Sequence, residues 1–143
     1  MPVAVLVPWC AYPWRHYWYA SVMKQRVLVC GGRQFADWQH LCRVMALVAP
    51  WCAARPLLIH GGAPGADTLA GRWAALNGWP CAVVAANWDF YGKAAGSLRN
   101  QWMLSMLEPD LVVALPGGVG TAHMVRIARK AGVDVYVAST GQV

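Results

Sequence analysis

Two glycine-rich stretches hold the residues of this chain best suited to chemistry on an anion. They are "HGGAPGAD" at residues 60–67 and "PGGVGTAHM" at residues 116–124. A glycine turn lets backbone N–H groups approach a phosphate closely, and a helix that starts just after it adds partial positive charge. A third turn, Gly31-Gly32, is followed at once by Arg33. Tight strand-to-helix turns also need glycine, so any one of these turns leaves both readings open. The spacings GxGxxG and GxxxxGK[ST] are absent, which argues against an ordinary dinucleotide dehydrogenase and against a P-loop ATPase.

The polar residues around the turns narrow the chemistry. Arg99 and Asn100 fall in the first turn of a helix expected to begin near Ser97. A cation there opposes the helix dipole, so a compensating anion is expected: a ligand phosphate, or an ion pair with Asp89 or at the surface. Lys93 lies in the loop just before. Asp67 and Thr68 either cap their helix or hold ribose hydroxyls. His60 ends an apolar strand with no nucleophile or carboxylate beside it and reads as a satisfied core histidine, while His123 reads as exposed. Arg126, Arg129 and Lys130 near a helix C-terminus form either a solvated face that suits the dipole or an anion-binding surface.

These residues need a frame, and the hydropathy pattern supplies one. Apolar runs at 26–30, 56–60, 81–85, 111–115 and 133–137 read as strands. Helical spacing covers 36–49. A second helix begins at Asp67 or its neighbour, with Leu69, Trp73 and Leu76 on one face, and stops at Asn77-Gly78. A longer loop, 86–96, leads to a helix burying Leu98, Met103, Leu104 and Leu107, and a last helix covers 121–131. Near-continuous apolar strands alternating with helices predict an α/β fold. The expected form is a Rossmann-like three-layer sandwich on a five-stranded, mainly parallel sheet. In such folds ligands bind at the carboxyl ends of the strands, where strand order reverses, and three strands here end in glycine.

Composition sets the outer limits. The 143 residues fit one domain, and 58% hydrophobic content with 13% charge excludes a disordered chain. No apolar run reaches the ~18 residues of a membrane span, so no membrane association is expected. A net charge of +6 favours anionic partners. The basic residues are too dispersed for a long backbone track, so nucleic acid is not the expected partner. Trp38, Trp73 and Trp102 read as core or dimer contacts. Five cysteines form no CxxC pair and no zinc-like spacing. With Cys30 and Cys81 inside apolar strands, they read as reduced thiols in a cytoplasmic protein without metal or cofactor. Residues 1–25 lack periodicity and the layout of a secretory signal, and read as an irregular or disordered appendage, with an internal start at Met23 open. The domain proper is expected over 26–143.

Four stretches in order, "RVLVCGGRQF", "LLIHGGAPGADTLAGRWA", "NWDFYGKAAGSLRNQWML" and "PDLVVALPGGVGTAHMVRIARKAG", resemble the SLOG superfamily of Rossmann-like domains. The resemblance runs over about residues 26–137 and is nearest the YspA-type, cpYpsA-related branch. That superfamily includes LOG-type nucleotide phosphoribohydrolases, molybdenum-cofactor carriers, the DNA-processing protein DprA, and sensors of nucleotide-derived signals in bacterial and phage conflict systems. The resemblance implies a site for a nucleotide or ADP-ribose-like ligand, with phosphate on residues 117–121, and a homo-oligomer, usually a dimer. The expected ligand-binding set is Gly31, Gly32, Arg33, Gly61, Gly62, Gly65, Asp67, Thr68, Lys93, Arg99, Asn100, Pro116, Gly117, Gly118, Gly120 and Thr121.

One departure from the pattern bears on function. The LOG turn reads PGGxGTxxE, and its glutamate assists N-glycosidic cleavage; that position here is Met124, whereas the matching Arg99 is retained. The expected function is therefore the sensing, carrying or sequestering of a nucleotide-derived small molecule. An N-glycoside hydrolase with Asp89 replacing the lost glutamate is the first alternative, and DprA-like single-stranded DNA binding the second.

Overall fold

The computed structural model describes residues 23–140, so most of the expected appendage (1–22) lies outside the described residues. Lys24 and Gln25, grouped with it by composition, belong instead to the first strand, β1 (Lys24–Cys30). The chain continues through α1 (Trp38–Val48), a 3₁₀ turn, β2 (Cys52–His60), α2 (Ala66–Leu76) and β3 (Cys81–Val83). After α3 (Trp88–Tyr91) and a second 3₁₀ turn come α4 (Ala95–Leu107), β4 (Leu111–Ala114), α5 (Val119–Lys130) and β5 (Asp134–Val137). The strands lie in the order β3-β2-β1-β4-β5, and all four pairings are parallel.

β1 is central, so both of its faces must be covered, which is why Val27–Cys30 is apolar without alternation. On one face Val27, Val29, Leu58 and Val113 pack with Leu41 and Met45 of α1 and with Ala70 and Trp73 of α2. On the other, Leu28, Cys30, Ile59 and Val112 pack with Met103 of α4 and with Met124 and Ala128 of α5. Helices thus cover both sides of the sheet. Each fully buried aliphatic side chain contributes roughly 1.5–3 kcal/mol. The exposed Lys24–Asp134 ion pair, at 2.5 Å, belongs to a class worth about 0–1 kcal/mol, so the two apolar clusters carry the fold.

Several local expectations are corrected. β2 starts at Cys52, because Lys24 pairs with Cys52 while Arg26 already pairs with Leu57. The residues between bulge around Pro56, which has no N–H to give the ladder. In α2 the covered face is Ala66, Ala70, Trp73 and Ala74, and Leu76 is 68% exposed. Cys81 is exposed on the short edge strand β3 rather than buried. The loop over 86–96 contains α3, capped by the Asn87 side chain, which accepts from the Phe90 N–H at 3.0 Å. No helix among the described residues is long and apolar enough to cross a membrane.

Candidate functional site

From β1 the chain crosses to β2, and from β4 it crosses to β5 on the opposite side, so strand order reverses between the carboxyl ends of β1 and β4. All three glycine turns meet there. The Gly32 N–H donates to the Pro116 carbonyl at 2.9 Å, and the Gly32 carbonyl accepts from the Ala66 N–H at 3.1 Å. A Cβ on Gly31 would lie 2.5 Å from the Ala66 Cβ, and one on Gly117 would lie 2.6 Å from the Gly32 nitrogen. Gly65 has φ +82° and faces the Gly32 and Arg33 carbonyls so closely that a side chain has no room. Gly118 and Gly120 differ: nothing lies within 4 Å of where their Cβ would be. They open α5, whose N-cap, Gly118, provides no side-chain cap for the first-turn N–H groups.

Asp67 does not cap α2, and Gly65 stands in the N-cap position. The Asp67 carboxylate turns back and accepts from the Gly61 N–H at 3.1 Å and the Ala63 N–H at 3.2 Å. The Thr68 hydroxyl donates to the Ala63 carbonyl at 2.9 Å. Both side chains therefore hold the 61–65 turn in shape. Burial pushes the Asp67 carboxyl above the usual range, outweighing the pull of those hydrogen bonds and of the Arg99 and His60 charges. His60 is buried as expected; its Nδ1 accepts from the Gly62 N–H at 3.0 Å, and its ring packs on Gly71. Burial lowers its pKa, which keeps the ring neutral.

Arg99 is placed differently from the sequence expectation. α4 begins at Ala95, so Arg99 lies in its second turn, where the dipole penalty has faded. Its demand for an anion comes from burial instead, which lowers the guanidinium pKa even with Asp67 nearby, and Arg33 adds like-charge repulsion. Its Nη1 donates to the Gly61 carbonyl at 2.9 Å. The ion pairs among the described residues, Lys24–Asp134 and Arg26–Glu108, include neither Arg99 nor Asp89. The guanidinium lies against Gly61, where a Cβ would come within 2.5 Å of Nη1.

Asn100 is 4% exposed and ties α4 to α5. Its Nδ2 donates to the Gly120 carbonyl at 3.1 Å and meets His123 Nδ1 at 3.1 Å, while its Oδ1 lies 3.4 Å from Arg99 Nε. His123 is thus half-buried, not exposed, and burial with the Arg126 charge lowers its pKa. The expectation of an exposed His123 fails because only the α4–α5 packing brings positions 100 and 123 together.

Arg33 is exposed and lies over the Trp88 ring, 4.9 Å from its centroid. Lys93 and Asp89 are exposed on the same connection, with no hydrogen bond or ion pair joining either to the turns. Met124 is fully buried in the cluster with Leu28, Val112 and Met103, so the position matching the LOG glutamate lies in the core. The Cys30 thiol is pushed up to about 12 by burial and the Asp67 charge, which makes it a poor nucleophile. Among the described residues, no group of three or more His, Cys, Asp or Glu is placed to hold a metal ion.

A parallel sheet in this order, with glycine turns interlocked at its reversal point, defines a Rossmann-like α/β domain. The model of the YAcAr family, described as the YspA, cpYpsA-related SLOG family, matches residues 25–91. The Gene 61 protein of Mycobacterium phage D29 is 38% identical over 119 residues, covering 78% of this chain and 94% of the phage protein. The chain belongs to the YspA, cpYpsA-related SLOG family. Among solved structures, the X-ray structure of TM1055, a structural-genomics target, shares the fold with a TM-score of 0.59 at 18% identity, over 78% of this chain and 72% of that one.

Proposed function

We propose that the chain binds a nucleotide-derived anion, a nucleoside phosphate or ADP-ribose-like molecule, over the carboxyl ends of β1 and β4. The observation that carries this reading is Arg99. It is a half-buried cation with no carboxylate in ion-pair range, whose burial cost the Asp67 charge offsets only in part while Arg33 adds a smaller repulsion, and it is joined through Asn100 to the open first turn of α5. A phosphate on Gly118–Thr121 would meet uncapped N–H groups and the positive end of α5, and would neutralise Arg99.

Binding without LOG-type hydrolysis is the favoured form of this reading, because Met124 offers no carboxylate and its side chain packs into the core. The test is thermal unfolding of the full chain with AMP, ADP and ADP-ribose up to millimolar concentration, alongside native mass spectrometry of the purified protein. A ligand at 100 times its Kd adds about 2.7 kcal/mol to native-state stability, so a rise of several degrees in Tm is expected. No shift with any of them, and no co-purified nucleotide mass, contradicts the reading.

A further inference from the structure

A cleft of about 730 Å³ lies on the far side of the Pro116–Gly118 turn, between α5 and the carboxyl ends of β4 and β5. That size falls within the roughly 300–1,000 Å³ of small-molecule sites. Its floor is apolar, with Leu115, Val125 and Val137, and two cations open onto it, Arg126 and Arg129. They stand three residues apart on one face of α5. Neither belongs to the ion pairs of the described residues.

The near end of the cleft is formed by Gly118 and Thr121, the same turn that would hold the first phosphate. Helical Cα–Cβ bonds tilt toward the helix N-terminus, so the stems of both side chains start toward that turn. The Arg126 charge is felt at His123, one turn earlier. At ~1.5 Å of rise per residue, Arg126 stands about 9 Å beyond Gly120, and that tilt shortens the gap between the two anion-attracting regions.

We infer that Arg126 and Arg129 receive a second anionic group of the ligand, beyond the one held at Gly118–Thr121. The chemical class is a nucleoside carrying phosphates at two separated positions, with its uncharged portion over Val125 and Val137. This rests on the site proposed above and adds to it what distinguishes the ligand from a monophosphate.

Calorimetric titration of the full chain with AMP and with adenosine 3′,5′-bisphosphate tests it. The bisphosphate should bind at least about tenfold more tightly, a difference of about 1.4 kcal/mol. The double variant Arg126→Gln/Arg129→Gln should remove that preference while AMP affinity stays unchanged. Lys130→Gln, which removes a charge from the same helix end outside the cleft lining, should keep it. Equal binding of the two nucleotides by the unmodified chain overturns the inference and leaves the first site standing. A preference that survives the double variant, or is lost equally in Lys130→Gln, also overturns it. Absence of binding by both nucleotides counts against the first site itself, and the inference falls with it.

Discussion

Gly31, Gly65 and Gly117 have neighbours that even a methyl group would strike, whereas Gly118 and Gly120, a few residues further along the same turn, face open space. The first set is explained by packing: three chain segments cross at the end of β1 so closely that backbone touches backbone. Gly118 has a backbone reason, its N-cap place at φ −105° and ψ −141°, but no neighbour excludes a side chain there, and nothing inside the domain explains Gly120. Glycine fingerprints therefore mix two demands, and only a neighbour-by-neighbour account separates the ones that build the turn from the ones that leave room above it.

The largest expected effect comes from filling the packed side. Gly65→Ala combines a positive φ with contact against two carbonyl oxygens, and should lower unfolding free energy by about 3 kcal/mol or more in urea titrations. Met124→Glu asks to which side the LOG glutamate position belongs. It buries a carboxylate among Leu28, Val112 and Met103 and should cost about 2–3 kcal/mol, with no free base released from AMP in a chromatographic assay. Base release by a stably folded Met124→Glu chain would place that position on the open side.

A smaller, pH-dependent effect should come from the histidines behind the turns. The folded-state pKa values of His60 and His123 are lowered, so below pH ~6.5 the unfolded chain takes up protons that the folded one refuses. Stability is then full well above that pH and falls as pH drops from about 6.5 to 5.5; His60→Gln should flatten much of the slope. The smallest effect belongs to the open side. Gly120→Ala lies in the first turn of α5 with free space around it, and should stabilise the fold by about 0.4–1 kcal/mol in the same urea assay.

The sheet was legible because buried parallel strands are apolar almost throughout: runs such as Val27–Cys30 and Leu111–Ala114 announce themselves. Element edges were less so. α4 starts at Ala95 with Ala94 as an uncapping N-cap, so no side chain marks its beginning, and Ser97 drew the assignment inward. Convergence of the three turns followed from topology, but the roles of Asp67 and Thr68 did not. Capping, the usual use of such residues at a helix start, gave way here to bonds that fix the turn backward along the chain. His123 and the cleft beside Arg126 and Arg129 depend on how α5 lies against α4 and β5, which no local spacing encodes.

The measurement that goes most directly to the open turn is Gly118→Val, read twice. Gly118 has φ −105° and ψ −141°, past the edge of the extended region, and free space at its Cβ, so valine there carries a backbone and N-cap cost without a clash and occupies the place above the first turn of α5. Urea unfolding free energy should fall by about 1–3 kcal/mol with the chain still folded, while the Tm rise given by whichever of AMP, ADP or ADP-ribose shifts the unmodified chain disappears. A Gly118→Val protein that keeps the ligand-induced shift, or one that loses its fold, would contradict the account.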